Sequence, residues 1–360
     1  MIMSLMLDDA IDLLRQMIAT PSVSRDEAAV ATLIFDRLES WGLQPMHYGN
    51  NIVARCTRWN SERPTLMLNA HIDTVRPAAS YTLDPYTPII RDGRLYGLGS
   101  NDDGASVVAL TSVFRALRDL DLPYNLLLAL SAEEEVGGEG GMRMLLPALA
   151  REEIRIDAAL VGEPTGMQPA IAERGLIVLD CVTHGVAGHA ARNEGINAIY
   201  RAMDDISRLR DFRFDRVSDI LGPVKVSITQ IEAGKQHNTV PDTCRWVVDV
   251  RTTDAYSNEE TSRLLREALS EHTEAAHRST RVQASVIDCS HPLVEGAVSL
   301  GRKPFVSPTT SDMSLMHGIP SLKMGPGDSS RSHRADEYIV ISEIAEAIDL
   351  YTSLLTNLTL

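Results

Sequence analysis

Thr65-Leu66-Met67-Leu68-Asn69-Ala70-His71-Ile72-Asp73 is the stretch from which the rest of the 360-residue chain can be read. Residues 65–69 form the short apolar run of a strand buried on both faces. The run then delivers a histidine and an aspartate two positions apart, and side chains two apart in extended backbone point the same way. Two further runs of this type, Asn125–Ser131 and Ala158–Val161, also lead into acids: Glu133-Glu134-Glu135 follows the first and Gly162-Glu163-Pro164-Thr165 the second. Residues 105–120, lying between the 65–69 and 125–131 runs, read as a helix. This strand–helix–strand rhythm argues for a parallel or mixed α/β sheet, in which ligands gather beyond the carboxyl ends of the strands.

The reading extends outward in both directions. Residues 7–18 form an amphipathic helical pattern that stops before Pro21, and a second helix is expected over 26–41 with Gly42 as its stop. The middle of the chain differs: 175–183, 224–232, 239–251 and 281–287 read as strands, with one helix over 257–275. That mixture suits a small α+β domain with an antiparallel sheet. Beyond it, 293–301 reads as a helix, 321–324 as a strand and 341–355 as a closing helix. His333 lies in this tail and completes the set of histidines and acids, so the tail must return to the first domain. The expected organisation is therefore a catalytic domain of 1–172 and 290–360 with 173–289 inserted.

Composition narrows the function. Thirty-four basic against forty-nine acidic residues give a net charge of −15, which disfavours a nucleic-acid partner. No apolar run reaches the roughly 20 residues of a membrane-spanning helix, and the first residues lack the basic start of a signal peptide. Cys56, Cys181, Cys244 and Cys289 show no paired spacing. They read as reduced thiols in a cytoplasmic protein.

Five motifs carry chemistry: Asn69–Asp73, Gly99-Ser100-Asn101-Asp102-Asp103, Glu133-Glu134-Glu135, Gly162–Thr165 and Ser332-His333-Arg334. Together they supply two imidazoles and at least three carboxylates, the donor set of a two-metal hydrolytic site. In isolation, His71 with Asp73 could be a core pair, and three glutamates could be a solvated loop. The glycine-rich loop lacks both the Lys-Ser/Thr of a P-loop and the G-x-G-x-x-G of a dinucleotide site, and its two aspartates would repel phosphate. The glutamates follow a wholly apolar strand, where adjacent like charges call for cations.

In this order the motifs resemble the acetylornithine deacetylase / succinyl-diaminopimelate desuccinylase family, co-catalytic zinc hydrolases also called metallopeptidase family twenty. The resemblance runs from about residue 10 to the end. It implies a metal-dependent exopeptidase-like α/β domain with a mixed, mostly parallel sheet, plus an inserted α+β dimerisation or lid domain. It also implies two divalent metals, zinc or cobalt. His71 and Glu163 resemble the ligands of one metal, Glu135 and His333 those of the other, and Asp102 the bridge. Glu134 matches the general base and Asp73 the partner of His71. His189, in Gly188-His189-Ala190-Ala191, resembles a histidine that reaches the partner subunit's site in a homodimer. Asn238 and Arg251 resemble substrate-binding residues, and a cis peptide is implied between Asp102 and Asp103.

Two departures are visible: Gly97-Leu98-Gly99 stands for the common Gly-Arg-Gly, and Asp102-Asp103-Gly104-Ala105 for Asp-Met-Lys-Gly. Neither removes a ligand. The loops around Asp102, Glu163 and His333 look most like a branch removing acetyl or succinyl groups from N-acylated ornithine or citrulline in arginine biosynthesis. Arg331 is either a selector for an acidic acyl group or a surface residue. A dipeptidase, a carboxypeptidase, another N-acyl-amino-acid deacylase or a non-catalytic binding protein of the same fold are the alternatives.

Overall fold

The computed structural model describes residues 2–192 and 194–360. Two compact units divide the chain: 1–171 with 287–305 and 311–360, and 172–286 with 306–310. The first unit opens with helices α1 (Ile2–Ile18) and α2 (Ala28–Ser40), then strands β1 (Met46–Tyr48), β2 (Asn51–Arg55), β3 (Thr65–His71), β4 (Ile89–Arg91) and β5 (Arg94–Tyr96). Helix α3 (Gly104–Leu117), β6 (Asn125–Ser131), α4 (Met142–Arg151), β7 (Ala158–Val161) and β8 (Ala170–Glu173) follow.

The sheet of this unit runs β1-β2-β6-β3-β7. Strands β3, β6 and β7 are parallel, with His71 level with Ser131 and Asn69 level with Val161. All their residues are buried, as an unbroken apolar run requires when both faces of a sheet are covered. Helix α3 is buried almost throughout, because α1 and the sheet enclose it. Parallel alignment brings the carboxyl ends of β3, β6 and β7 to one rim.

The second unit contains β9 (Gly175–His184), β10 (Gly188–His189), α5 (Ala198–Asp211), β11 (Lys225–Ala233), β12 (Thr239–Val240), β13 (Thr243–Thr252), α6 (Asn258–Glu267), β14 (Thr273–His277) and β15 (Ser285–Val286). Its four-stranded antiparallel sheet has the order β11-β13-β9-β14. Alternation on β9 and β13 sends Ile177, Leu179, Cys181, Trp246, Val248 and Val250 into a core closed by α5 and α6. The Trp246 indole N–H donates to the Thr183 hydroxyl at 3.0 Å. The insert leaves and rejoins through neighbouring strands, with Ala172 of β8 opposite Val286 of β15.

After α7 (Pro292–Ser299) and β16 (Phe305–Ser307), strand β17 (Ser321–Lys323) pairs in parallel with β7. Strand β18 (Tyr338–Val340) joins β5 and β4 in a small sheet, and α8 (Ile341–Thr356) closes the chain against α3. Three expectations are revised. The helix expected over 257–275 ends at Glu267, and Thr273–His277 is instead an edge strand on β9. The strand expected over 239–251 is interrupted at Pro241-Asp242, where the proline has no N–H for a ladder. Of 281–287 only Ser285–Val286 is paired as a strand.

Candidate metal centre

Asp73, 1% exposed, organises the rim. Its carboxylate accepts the Ser24 hydroxyl at 2.7 Å and the backbone N–H groups of Glu134 and Glu135 at 3.0 and 3.2 Å. His71 Nδ1 lies 2.9 Å from the Asp73 carbonyl oxygen and 3.4 Å from its Oδ1, while Nε2 lies 3.1 Å from Asp102 Oδ1. Two acceptors at Nδ1 fix the proton there and leave Nε2 to face the cluster, as in a histidine ligand held by a carboxylate. Burial opposes charge on this imidazole, but the bonds to Asp102 and Asp73 outweigh it and raise His71 well above the usual histidine range.

Asp102 is delivered by the loop after β5, where Gly99 has φ +73°, open to glycine at little cost. The Asp102–Asp103 peptide is cis. The two aspartates diverge: Asp102 faces the His71 ring, whereas Asp103 Oδ2 accepts the His71 backbone N–H at 3.3 Å. Buried Glu337 holds the loop by accepting N–H groups from Gly99, Asn101 and Asp102 at 3.1, 2.8 and 2.9 Å. Burial pushes Glu337 up to about 8.

Glu133 has φ +53° and begins the 3-10 turn Glu134–Val136 that follows β6. Its backbone N–H donates to the buried Glu27 carboxylate at 3.3 Å, and its own carboxylate accepts the Gly140 N–H at 3.2 Å. Glu133 is thus turned back onto the loop. Burial, then the charges of Asp312 and Glu135, raise Glu134 well above the carboxylate range. Glu163, beyond β7, is raised mainly by burial against the pull of the buried Lys323 cation at the end of β17. His333 Nε2 lies 3.0 Å from Glu135 Oε2 and 3.7 Å from Asp102 Oδ2, and its bond to Glu135 lifts it to about 8.

His71, Asp102 and Glu135 offer donor atoms that all lie within 4.8 Å of one another, and so do His71, Glu134 and Glu163. With His333 on Glu135, the first unit gathers all five sequence-derived ligands and the proposed base. Raised proton affinity at Glu134 and Glu163 is the cost of crowding acids away from water, and divalent cations would relieve it. The donor chemistry therefore fits two hard or borderline metals.

The remaining candidates make other contacts. Arg331 forks onto Glu343 at 2.7 and 3.0 Å and stacks on Tyr338 at 4.8 Å. Its donors are thus used in anchoring the start of α8. In the second unit, β10 pairs with β12, setting His189 opposite Thr239, and the Ala190 N–H donates to the Asn238 carbonyl at 3.1 Å. Arg251 sits at the other end of β13, forked onto Asp249 at 2.9 and 3.1 Å.

Sequence reasoning missed Glu337, Glu27 and Asp312. Asp312 is buried, accepts the Ser131 hydroxyl at 2.6 Å and is pushed up by burial to about 6. Only Glu337 carried a signal: an acid four residues after His333, immediately before the apolar β18.

The profile of Peptidase family M20/M25/M40 matches residues 67–357. Acetylornithine deacetylase of Proteus mirabilis (strain HI4320) is 27% identical over 391 residues, covering 99% of each chain. Succinyl-diaminopimelate desuccinylase of Paracoccus denitrificans (strain Pd 1222) is 27% identical over 373 residues, covering 96% of this chain and 97% of its own. Among solved structures, aminopeptidase PepT from Bacillus cereus shares the fold with a TM-score of 0.78 at 18% identity, over 97% of this chain and 98% of its own. Bacillus subtilis YXEP, a dinuclear metal binding peptidase from the M20 family, gives 0.74 at 17% identity over 98% of each chain.

Glu337→Gln keeps the size of the side chain but replaces one acceptor oxygen with a donor amide. Metal affinity, measured by competition with a chromogenic chelator, should fall about 10- to 100-fold while thermal stability changes little. Unchanged affinity would make Glu337 a support for the loop alone.

Proposed function

This chain belongs to Peptidase family M20/M25/M40, and we propose that within it the protein removes an acetyl or succinyl group from the α-nitrogen of ornithine or citrulline. It is a metal-dependent hydrolase of linear amides. The observation that carries the finer reading is the convergence of His71, Asp102, Glu134, Glu135, Glu163 and His333 on one rim, together with full-length similarity to an acetylornithine deacetylase.

His71 and Glu163 would hold one divalent cation, Glu135 and His333 a second, with Asp102 shared between them. Zinc is the first choice and cobalt the substitute; when bound, they would supply Lewis acidity and make the nucleophilic water more acidic. Glu134 takes the proton of that water and passes it to the departing amine. Asp73 keeps the His71 ring and the Glu134 backbone in register. Arg251, released from Asp249, is suited to a forked contact with the substrate carboxylate, and Asn238 to orienting the amide.

His189 and Asn238 travel together on the β10–β12 ribbon, whereas Arg251 lies at the far end of β13, roughly 27 Å of strand from its start at Thr243. A homodimer in which one protomer supplies Arg251 and its partner supplies His189 and Asn238 reconciles the three. Two features support such a dimer: the edge position of β11, with Ile231 55% exposed, and exposed Tyr200 and Met203 on α5. We assign the protein to the cytoplasm because its four cysteines are free. Among the described residues no helix is long and apolar enough to cross a membrane.

Glu134→Gln should retain metal yet lose about 100-fold or more in kcat; near-normal turnover would remove it as the base. Mixing His189→Ala with Glu134→Gln subunits should restore part of the activity that each lacks alone, since hybrid dimers contain one intact site. Absence of rescue would sink the shared site. The substrate is decided by kcat/KM on the acetyl and succinyl derivatives of ornithine and citrulline, with N-succinyl-diaminopimelate alongside. Preference for the last would favour the reading suggested by the desuccinylase relatives.

A further inference from the structure

Strand β2 runs antiparallel to β6, so its two ends serve different places. Asn51 lies at the metal-centre end, where its Oδ1 accepts the Ala132 N–H at 2.9 Å. Arg55 lies at the opposite end, beside a cavity of about 600 Å³. Leu43, Pro45, Met46 and Trp59 give this cavity apolar walls, and Arg55 and Arg118 give it two cations. Its volume falls within the range of small-molecule sites.

No carboxylate lines the cavity, although the chain carries a net charge of −15. Arg55 Nη2 donates to Glu152 at 2.8 Å and its guanidinium stacks over Trp59 at 5.3 Å, but its Nε is buried with no hydrogen-bond partner. Arg118 reaches Asp119 at 3.3 Å through Nε. Both acids are substantially exposed, and exposed ion pairs of this kind are weak enough for another anion to compete. Stacking on Trp59 holds the Arg55 fork flat, which favours a planar anion.

We propose that this cavity is a second binding site, separate from the metal centre, for a small carboxylate carried on a flat apolar body. The carboxylate takes the guanidinium of Arg118 and competes with the exposed Glu152 for that of Arg55, and the body packs against Trp59, Met46 and Leu43. Neither half suffices: acetate lacks the apolar contact, and a neutral aromatic lacks the charge to compete with Glu152 and Asp119 for the two guanidiniums.

Benzoate is the probe, titrated into the intact metal-loaded protein and followed by tryptophan fluorescence. Wild type should show a saturable change that Trp59→Phe lacks. Arg118→Ala should weaken binding about tenfold, the scale of one charge-assisted contact. Gln44→Phe, at an exposed lining position, should block the cavity without touching either arginine, and circular dichroism should report native folding for each variant. Acetate and benzyl alcohol should each bind at least tenfold more weakly than benzoate. No saturable change, equal affinity in Arg118→Ala and Gln44→Phe, or benzyl alcohol binding as well as benzoate would overturn the proposal.

Discussion

The carboxylate of Asp73 is the constraint on which the rest of the centre depends. It lies 3.4 Å from the His71 ring of β3 and accepts from the backbone of Glu134 and Glu135 after β6 and from Ser24 in the segment between α1 and α2. Hydrogen bonds to an ionised buried acid are worth about 1.5–3 kcal/mol each, and they hold the acid below its usual range despite burial. One side chain thus couples the candidate ligand His71 to the proposed base Glu134. Neither could drift independently without leaving that charge unsatisfied.

A second constraint is the concentration of negative charge. Asp103, Glu163, Asp312 and Glu337 are buried around one rim, and Asp102 and Glu134 are partly so. They are not equivalent. Glu337 spends both oxygens on backbone N–H groups, Asp103 one on the His71 N–H and Asp312 one on Ser131, so they shape the loops. Asp102, Glu135 and Glu163 are turned toward the imidazoles or toward one another. Division of the acids into those bound to backbone and those left facing the cluster is what makes the site a receptor for cations.

Much of this was legible in the sequence because the relevant strands are buried on both faces. Apolar runs at 65–69, 125–131 and 158–161 can be read without homologues, and the acids after them then fall at one rim. What escaped reading depended on long-range contact. Glu27 and Asp312 reach the centre from regions with no pattern of their own, and nothing local distinguishes them from surface acids. Thr273–His277 was hidden in a helical stretch because its strand identity comes from pairing with β9, not from alternation. Strands β1, β4, β5 and β18, three residues each, are too short to show a period. Arg331, which reads from the sequence as either a selector for an acidic acyl group or a surface residue, has its guanidinium forked onto Glu343 of the following helix, a contact that no local pattern announces.

The pairing of Ala172 with Val286 has an evolutionary consequence. More than a hundred residues depart from one strand and come back on its neighbour, so the ends of the insert are fixed at a separation that does not depend on what lies between them. Loop-closure entropy grows only slowly with length. Such an insert can be lengthened, trimmed or replaced without re-registering the strands that carry the metal ligands. The inserted unit can therefore change on one schedule while the rim that gathers the imidazoles and acids keeps its own.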